Sequence, residues 1–91
     1  MRDEQYGVAF APAAIHALRD LPEKIGTAVI EFCYGTLADN PQRVGKALRW
    51  ELAGLHSARR GDFRIVYRID ATRRRVEVVA IEHRADIYRR R

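Results

Sequence analysis

Apolar and polar residues alternate one by one from Phe63 to Asp70. Phe63, Ile65, Tyr67 and Ile69 fall on one side, and Arg64, Val66, Arg68 and Asp70 fall on the other. Period two marks a strand with one buried face. The preceding Gly61-Asp62 supplies a tight turn, because glycine accepts positive φ and aspartate can bond its own backbone. Residues 54–60 then form the other arm of a hairpin. Near the start, Tyr6, Val8 and Phe10 alternate with Gly7, Ala9 and Ala11, which predicts a first strand. Pro12 suits the first turn of a helix. Ala14, Ile15, Leu18 and Leu21 at helical spacing predict a short helix over 13–20, stopped by Pro22. Ile25, Ala28, Val29, Phe32 and Leu37 form a stripe that predicts a longer helix over 23–38, ended by Asp39-Asn40-Pro41.

Residues 42–50 follow no clean period. They read as extended or irregular, with Leu48 pointing inward and Trp50 a second inward candidate. After the polar turn Ala71-Thr72-Arg73-Arg74, residues 75–81 predict another strand, with Val76, Val78 and Ala80 against Glu77, Val79 and Ile81. Both of its faces are largely apolar, so it belongs inside the sheet. Residues 84–91 close the chain as a short helix or tail. The expected fold class is α+β: an N-terminal strand, an α-helical hairpin, then a three-stranded antiparallel meander, giving one mostly antiparallel sheet. The chain, residues 1–91, is expected to be a single domain.

Composition changes the picture in two places. One cysteine, Cys33, cannot close an internal disulfide, which fits a cytoplasmic setting, and it is expected to be a small buried apolar group. No window reaches the roughly 18 apolar residues of a membrane span, and the polar start lacks the apolar stretch of a signal peptide. Charge is unevenly placed. Residues 1–41 carry three Lys/Arg against six Asp/Glu, while 42–91 carry fourteen against six, a swing from −3 to +8. Such a basic half suggests a polyanionic partner, nucleic acid first. An ordinary solvated surface, its cations partly paired to an acidic partner protein, would give the same count.

Candidate chemistry follows the basic half. Arg64, fixed on a strand beside a turn, could stabilise charge on a scissile phosphate; it could equally pair with a cross-strand acid such as Glu77. Arg84 follows the last strand, and Tyr88, four residues on, could stack on a base, contact a phosphate or pin the tail to the core. His83 could move a proton near neutral pH or merely end a strand. His56 is a weaker candidate, and His16 lies far from the basic half. Lys46, Arg49, Arg59, Arg60 and Arg68 remain as phosphate-positioning cations or as plain surface charge. There is no paired carboxylate, no Ser/His/Asp order, no metal-ligand spacing and no glycine-rich phosphate loop.

Two stretches carry a family resemblance. Leu52-Ala53-Gly54-Leu55 followed by residues 57–70, and His83-Arg84-Ala85-Asp86-Ile87-Tyr88, resemble the RelE branch of the RelE/ParE toxins of bacterial type II toxin–antitoxin systems. The resemblance implies a ribosome-dependent endonuclease that enters the 30S A site, beside 16S rRNA, and cuts mRNA without metal or other cofactor. The substrate's own 2′-OH would attack, leaving a 2′,3′-cyclic phosphate and a 5′-OH. It implies neutralisation by a RelB-like antitoxin and binding of the pair to operator DNA. By position, Arg64 matches the family's strand arginine, Arg84 its second phosphate-contacting arginine and Tyr88 its C-terminal tyrosine. The lysine pair of well-known members falls at Leu55 and Ser57, so the general base is not identified by the resemblance; His83, beside Arg84, is the candidate proton shuttle. Two other readings stay open: a ParE-like inhibitor of DNA gyrase, and an inactive toxin that serves only as corepressor.

Overall fold

The computed structural model describes residues 5–83. The N-terminal strand β1 (Gly7–Phe10) leads into α1 (Pro12–Arg19), with Pro12 at the first helical position, where its missing N–H is not needed. Helix α2 (Glu23–Phe32) returns across it, with Glu23 in its first turn complementing the helix dipole. The predicted helix over 23–38 is present, but not as one uniform α-helix. Its last part, Cys33–Leu37, winds as a π turn. Val29, Cys33 and Leu37 are spaced four apart, and the wider turn keeps all three on the buried side. Cys33 is fully buried, as the composition suggested. Ile25, placed in the apolar stripe from the sequence, instead lies partly exposed.

A short helix α3 (Pro41–Val44) and a two-residue strand β2 (Lys46–Ala47) occupy the stretch that lacked a period. Next come β3 (Leu55–Arg60), β4 (Phe63–Asp70) and β5 (Arg75–His83). The sheet order is β1-β5-β4-β3-β2, antiparallel except for the β1–β5 pair, so β5 does lie inside the sheet. The β3–β4 turn is Gly61-Asp62, with Gly61 at φ 62°. At the β4–β5 turn, Asp70 Oδ1 accepts from the Arg73 N–H at 3.1 Å, and Arg74 takes φ 55°. The helices cover one face of the sheet. Between them sit Val29, Cys33, Leu37, Ile65, Tyr67, Val76 and Val78, all at most 1% exposed.

Two expectations need correcting. Trp50 does not point inward: it opens a 3-10 turn, Trp50–Leu52, with φ 60° and 83% exposure. The simple alternation read for β5 also fails. Val66 pairs with Ala80 but Tyr67 pairs with Val78, so Val79 is an extra residue, a β-bulge. Val76 and Val78 face the helices before the bulge; Ile81 and His83 do so after it. Glu82 is thereby turned to the opposite face.

Candidate nucleic-acid interface

That opposite face carries the cations. By register, Arg59 on β3 stands directly across from Arg64 on β4, and Lys46 on β2 stands across from Ser57, the residue two before Arg59. Three cations from three strands therefore share one face of the sheet. Like charges placed directly opposite destabilise a strand pair, so the Arg59–Arg64 step is a ready seat for an anion. Arg64 is steadied on its other side. Across β5, Glu82 Oε1 accepts from Arg64 Nε at 3.1 Å and from Nη2 at 2.6 Å. The cross-strand acid foreseen for Arg64 was Glu77, but the strand register places Glu77 four residues along β4, opposite Arg68. Glu77 instead takes Arg68, at 3.0 Å.

A groove of about 600 Å³ opens beside these residues, between Val44-Gly45-Lys46 and the end of the β3–β4 hairpin, with Arg59 and Arg64 in its wall. Its existence follows from how short β2 is. Pairing with β3 covers only Lys46–Ala47 opposite Ser57 and His56. Before Lys46 the chain peels away, which opens the β3 edge from Ala58 onward. The peeling is fixed by Tyr67 and Gly45. Tyr67 is fully buried in β4; its hydroxyl donates to Pro41 O at 2.7 Å and accepts from the Gly45 N–H. At Gly45 a Cβ would collide with the Tyr67 hydroxyl and lie 2.6 Å from Ser57 O, so only glycine passes. Burial pushes the Tyr67 hydroxyl up to about 12, with the Gly45 N–H working weakly against it, and burial also pushes the Cys33 thiol up to about 12. Neither side chain therefore ionises near neutral pH, and both act as neutral core groups.

The other candidates scatter. Arg60 pairs across from Phe63 and so lies on the helix side. Arg49 precedes the Trp50–Leu52 turn, beyond the β2 strand. His83 is opposite Phe63, its ring edge-on at 4.8 Å, on the face away from Arg64. His56 stacks on Tyr67 at 5.5 Å, and its buried Nδ1 has no hydrogen-bond partner among the described residues. His16 is exposed on α1. Arg84, Tyr88 and the short C-terminal helix or tail lie outside the described residues. Glu82, Tyr67 and Gly45 were not singled out from the sequence. Glu82 was hidden by the bulge, and Gly45 by its place in a stretch without period. Among the described residues no group of three or more His, Cys, Asp or Glu could hold a metal ion, and no helix is long and apolar enough to cross a membrane.

Comparison with known proteins agrees with this architecture. Residues 8–88 match the family described as ParE toxin of type II toxin-antitoxin system, parDE. Toxin RelE of Mycobacterium tuberculosis is 52% identical over 87 residues, covering 96% of this chain and 90% of that protein. Toxin RelG of the same organism is 52% identical over 85 residues, covering 93% and 98%. The toxin–antitoxin complex RelBE2 from M. tuberculosis contains a chain that superposes with a TM-score of 0.87 at 47% identity, covering 93% of this chain and 98% of that one. With its sheet order, its basic strand face and these relatives, the chain belongs to the RelE/ParE family of type II toxin–antitoxin toxins and is a RelE-like toxin.

Proposed function

We propose that this toxin is a ribosome-dependent endoribonuclease that cuts mRNA in the A site and is held inactive by a RelB-like antitoxin seated over the basic face. One observation carries the reading: Lys46, Arg59 and Arg64 converge from three strands on the rim of one groove. In the reaction, the 2′-oxygen bonds to phosphorus as the P–O5′ bond breaks. The 2′-OH gives up its proton, and the departing 5′-oxygen gains one. Negative charge builds on the non-bridging phosphate oxygens, and a guanidinium held on a rigid strand stabilises that charge more than it stabilises the ground state. Arg64 fills this role, and Arg59 and Lys46 hold the flanking backbone. Arg84 and Tyr88 complete the site on the strength of the family resemblance; His83, whose ring packs on Phe63 on the face away from Arg64, is given no proton-transfer role. The ribosome supplies the in-line geometry of the codon, and cleavage leaves a 2′,3′-cyclic phosphate and a 5′-OH.

The match to the ParE toxin family favours one second reading: inhibition of DNA gyrase by protein contact. The antitoxin-free toxin is therefore incubated with mRNA on translating ribosomes, with the same mRNA alone, and with gyrase and relaxed plasmid. Cuts confined to the A-site codon, only on ribosomes and with a cyclic phosphate end, are expected. Lost supercoiling without cleavage would transfer the protein to the gyrase reading, and no effect in any arm would leave a toxin acting only as corepressor.

A further inference from the structure

The bulge at Val79 has one chemical consequence at the site. If β5 ran without it, Glu82 would share a face with Val76 and Val78 and point into the helices. The extra residue brings Glu82 out to the cationic face, directly opposite Arg64. Bulges re-aim side chains in this way, often beside active sites. The contact made there is specific. A single oxygen, Oε1, receives both Nε–H and Nη2–H of Arg64, and the Glu82 side chain is only 17% exposed against 44% for Arg64. The carboxylate thus occupies the inner side of the guanidinium. The two N–H groups of Nη1 and the second of Nη2 stay available for the fork-like contact that arginine makes with phosphate. Its charge also offsets the repulsion between Arg64 and Arg59 when no anion is present.

We propose that Glu82 is the positioning residue for Arg64, holding its guanidinium so that the outer edge meets the scissile phosphate. The proposal rests on the nuclease reading above. Glu82 acts through Arg64 and touches no reacting atom. It is distinct from two other things a carboxylate could do here: accept the 2′-OH proton, or compete with phosphate for Arg64 as an inhibitory anion.

The test uses the full-length toxin and its Glu82→Gln and Glu82→Ala variants, with urea midpoints confirming that each is folded. Two readouts are taken. The first is water exchange of the Arg64 Nε–H by NMR, which needs no activity. It is expected to be slow in the wild type, fast in Glu82→Ala and intermediate in Glu82→Gln, whose amide oxygen can still accept. The second is single-turnover cleavage on programmed ribosomes as toxin is varied. Glu82→Ala should lose rate at saturation, up to roughly a hundredfold, the scale of a misplacement of about 1 Å. The toxin concentration for half-maximal rate should not rise, and Glu82→Gln should recover most of the rate. Equal loss in Gln and Ala, with the acid limb of the pH profile gone, would make Glu82 a base and overturn the proposal. An Ala variant as fast as wild type or faster would also overturn it. A wild type that cuts nothing sinks the nuclease reading; the exchange measurement then decides Glu82 alone, and exchange as fast in wild type as in Glu82→Ala refutes the hold.

Discussion

At the scale of single residues, Trp50 is the clearest case of local conflict. A bulky side chain at φ 60° sits in a region that L-residues other than glycine and asparagine rarely occupy. It recovers little by packing, being 83% exposed. Replacing it with glycine should therefore raise stability by about 1 kcal/mol, read as a higher urea midpoint at unchanged slope; a lower midpoint would mean that the indole packs more usefully than its exposure indicates. Cys33 and Tyr67 make the complementary case. Both are neutral and buried, with ionisation pushed from ordinary values of 9.0 and 10.0 up to about 12. The folded state holds these protons more tightly than the unfolded chain does. Their contribution to stability is thus whole below pH 9 and is lost as pH rises toward 12. Denaturant titrations at pH 8 and pH 11 should show the fall, and Cys33→Ala should shrink it. For the same reason Cys33 should react with thiol reagents only as fast as the protein opens.

Elements differ in how plainly the sequence declares them. The hairpin of β3 and β4 was legible because Gly61-Asp62 and strict alternation are local signals, and β1, α1 and the start of α2 were read for the same reason. Two features were not local. The path of residues 41–47 is set by Tyr67, more than twenty residues away, through Pro41 O and the Gly45 N–H. No period in the segment itself could reveal that. The bulge in β5 is hidden because Val78-Val79-Ala80-Ile81 is apolar throughout, so an inserted residue leaves no break in the pattern. Of the site, Arg64, Arg59 and Lys46 were legible as cations, but their convergence was not, since it depends on the register of β2. Gly45→Ala tests this clamp. The added methyl should displace Tyr67 or β2 and destabilise the fold by roughly 1–3 kcal/mol, as overpacking does. Tyr67→Phe should cost about 1–3 kcal/mol by stranding the Pro41 carbonyl and the Gly45 N–H. If both variants keep wild-type midpoints, the clamp does not set the groove.

For the whole molecule, the charge swing from −3 over residues 1–41 to +8 over 42–91 acquires a shape. The helices screen one face of the sheet, and Lys46, Arg59 and Arg64 gather on the other. Binding to ribosome-borne RNA should weaken steeply with salt. Arg59→Ala and Lys46→Ala should each flatten the slope by roughly one released counterion without changing where the message is cut. A change of cut site would mean that these residues read bases rather than phosphates.

The central claim is that Arg64 supplies transition-state charge stabilisation in ribosome-dependent cleavage. The most direct measurement is the single-turnover cleavage rate of wild type and Arg64→Ala at saturating toxin on the same programmed ribosomes. Loss of one stabilising donor is worth about 2.7–4 kcal/mol, so the variant should cut roughly a hundredfold to a thousandfold more slowly with its ribosome affinity little changed. A loss below about tenfold, equivalent to roughly 1.4 kcal/mol, would contradict the claim.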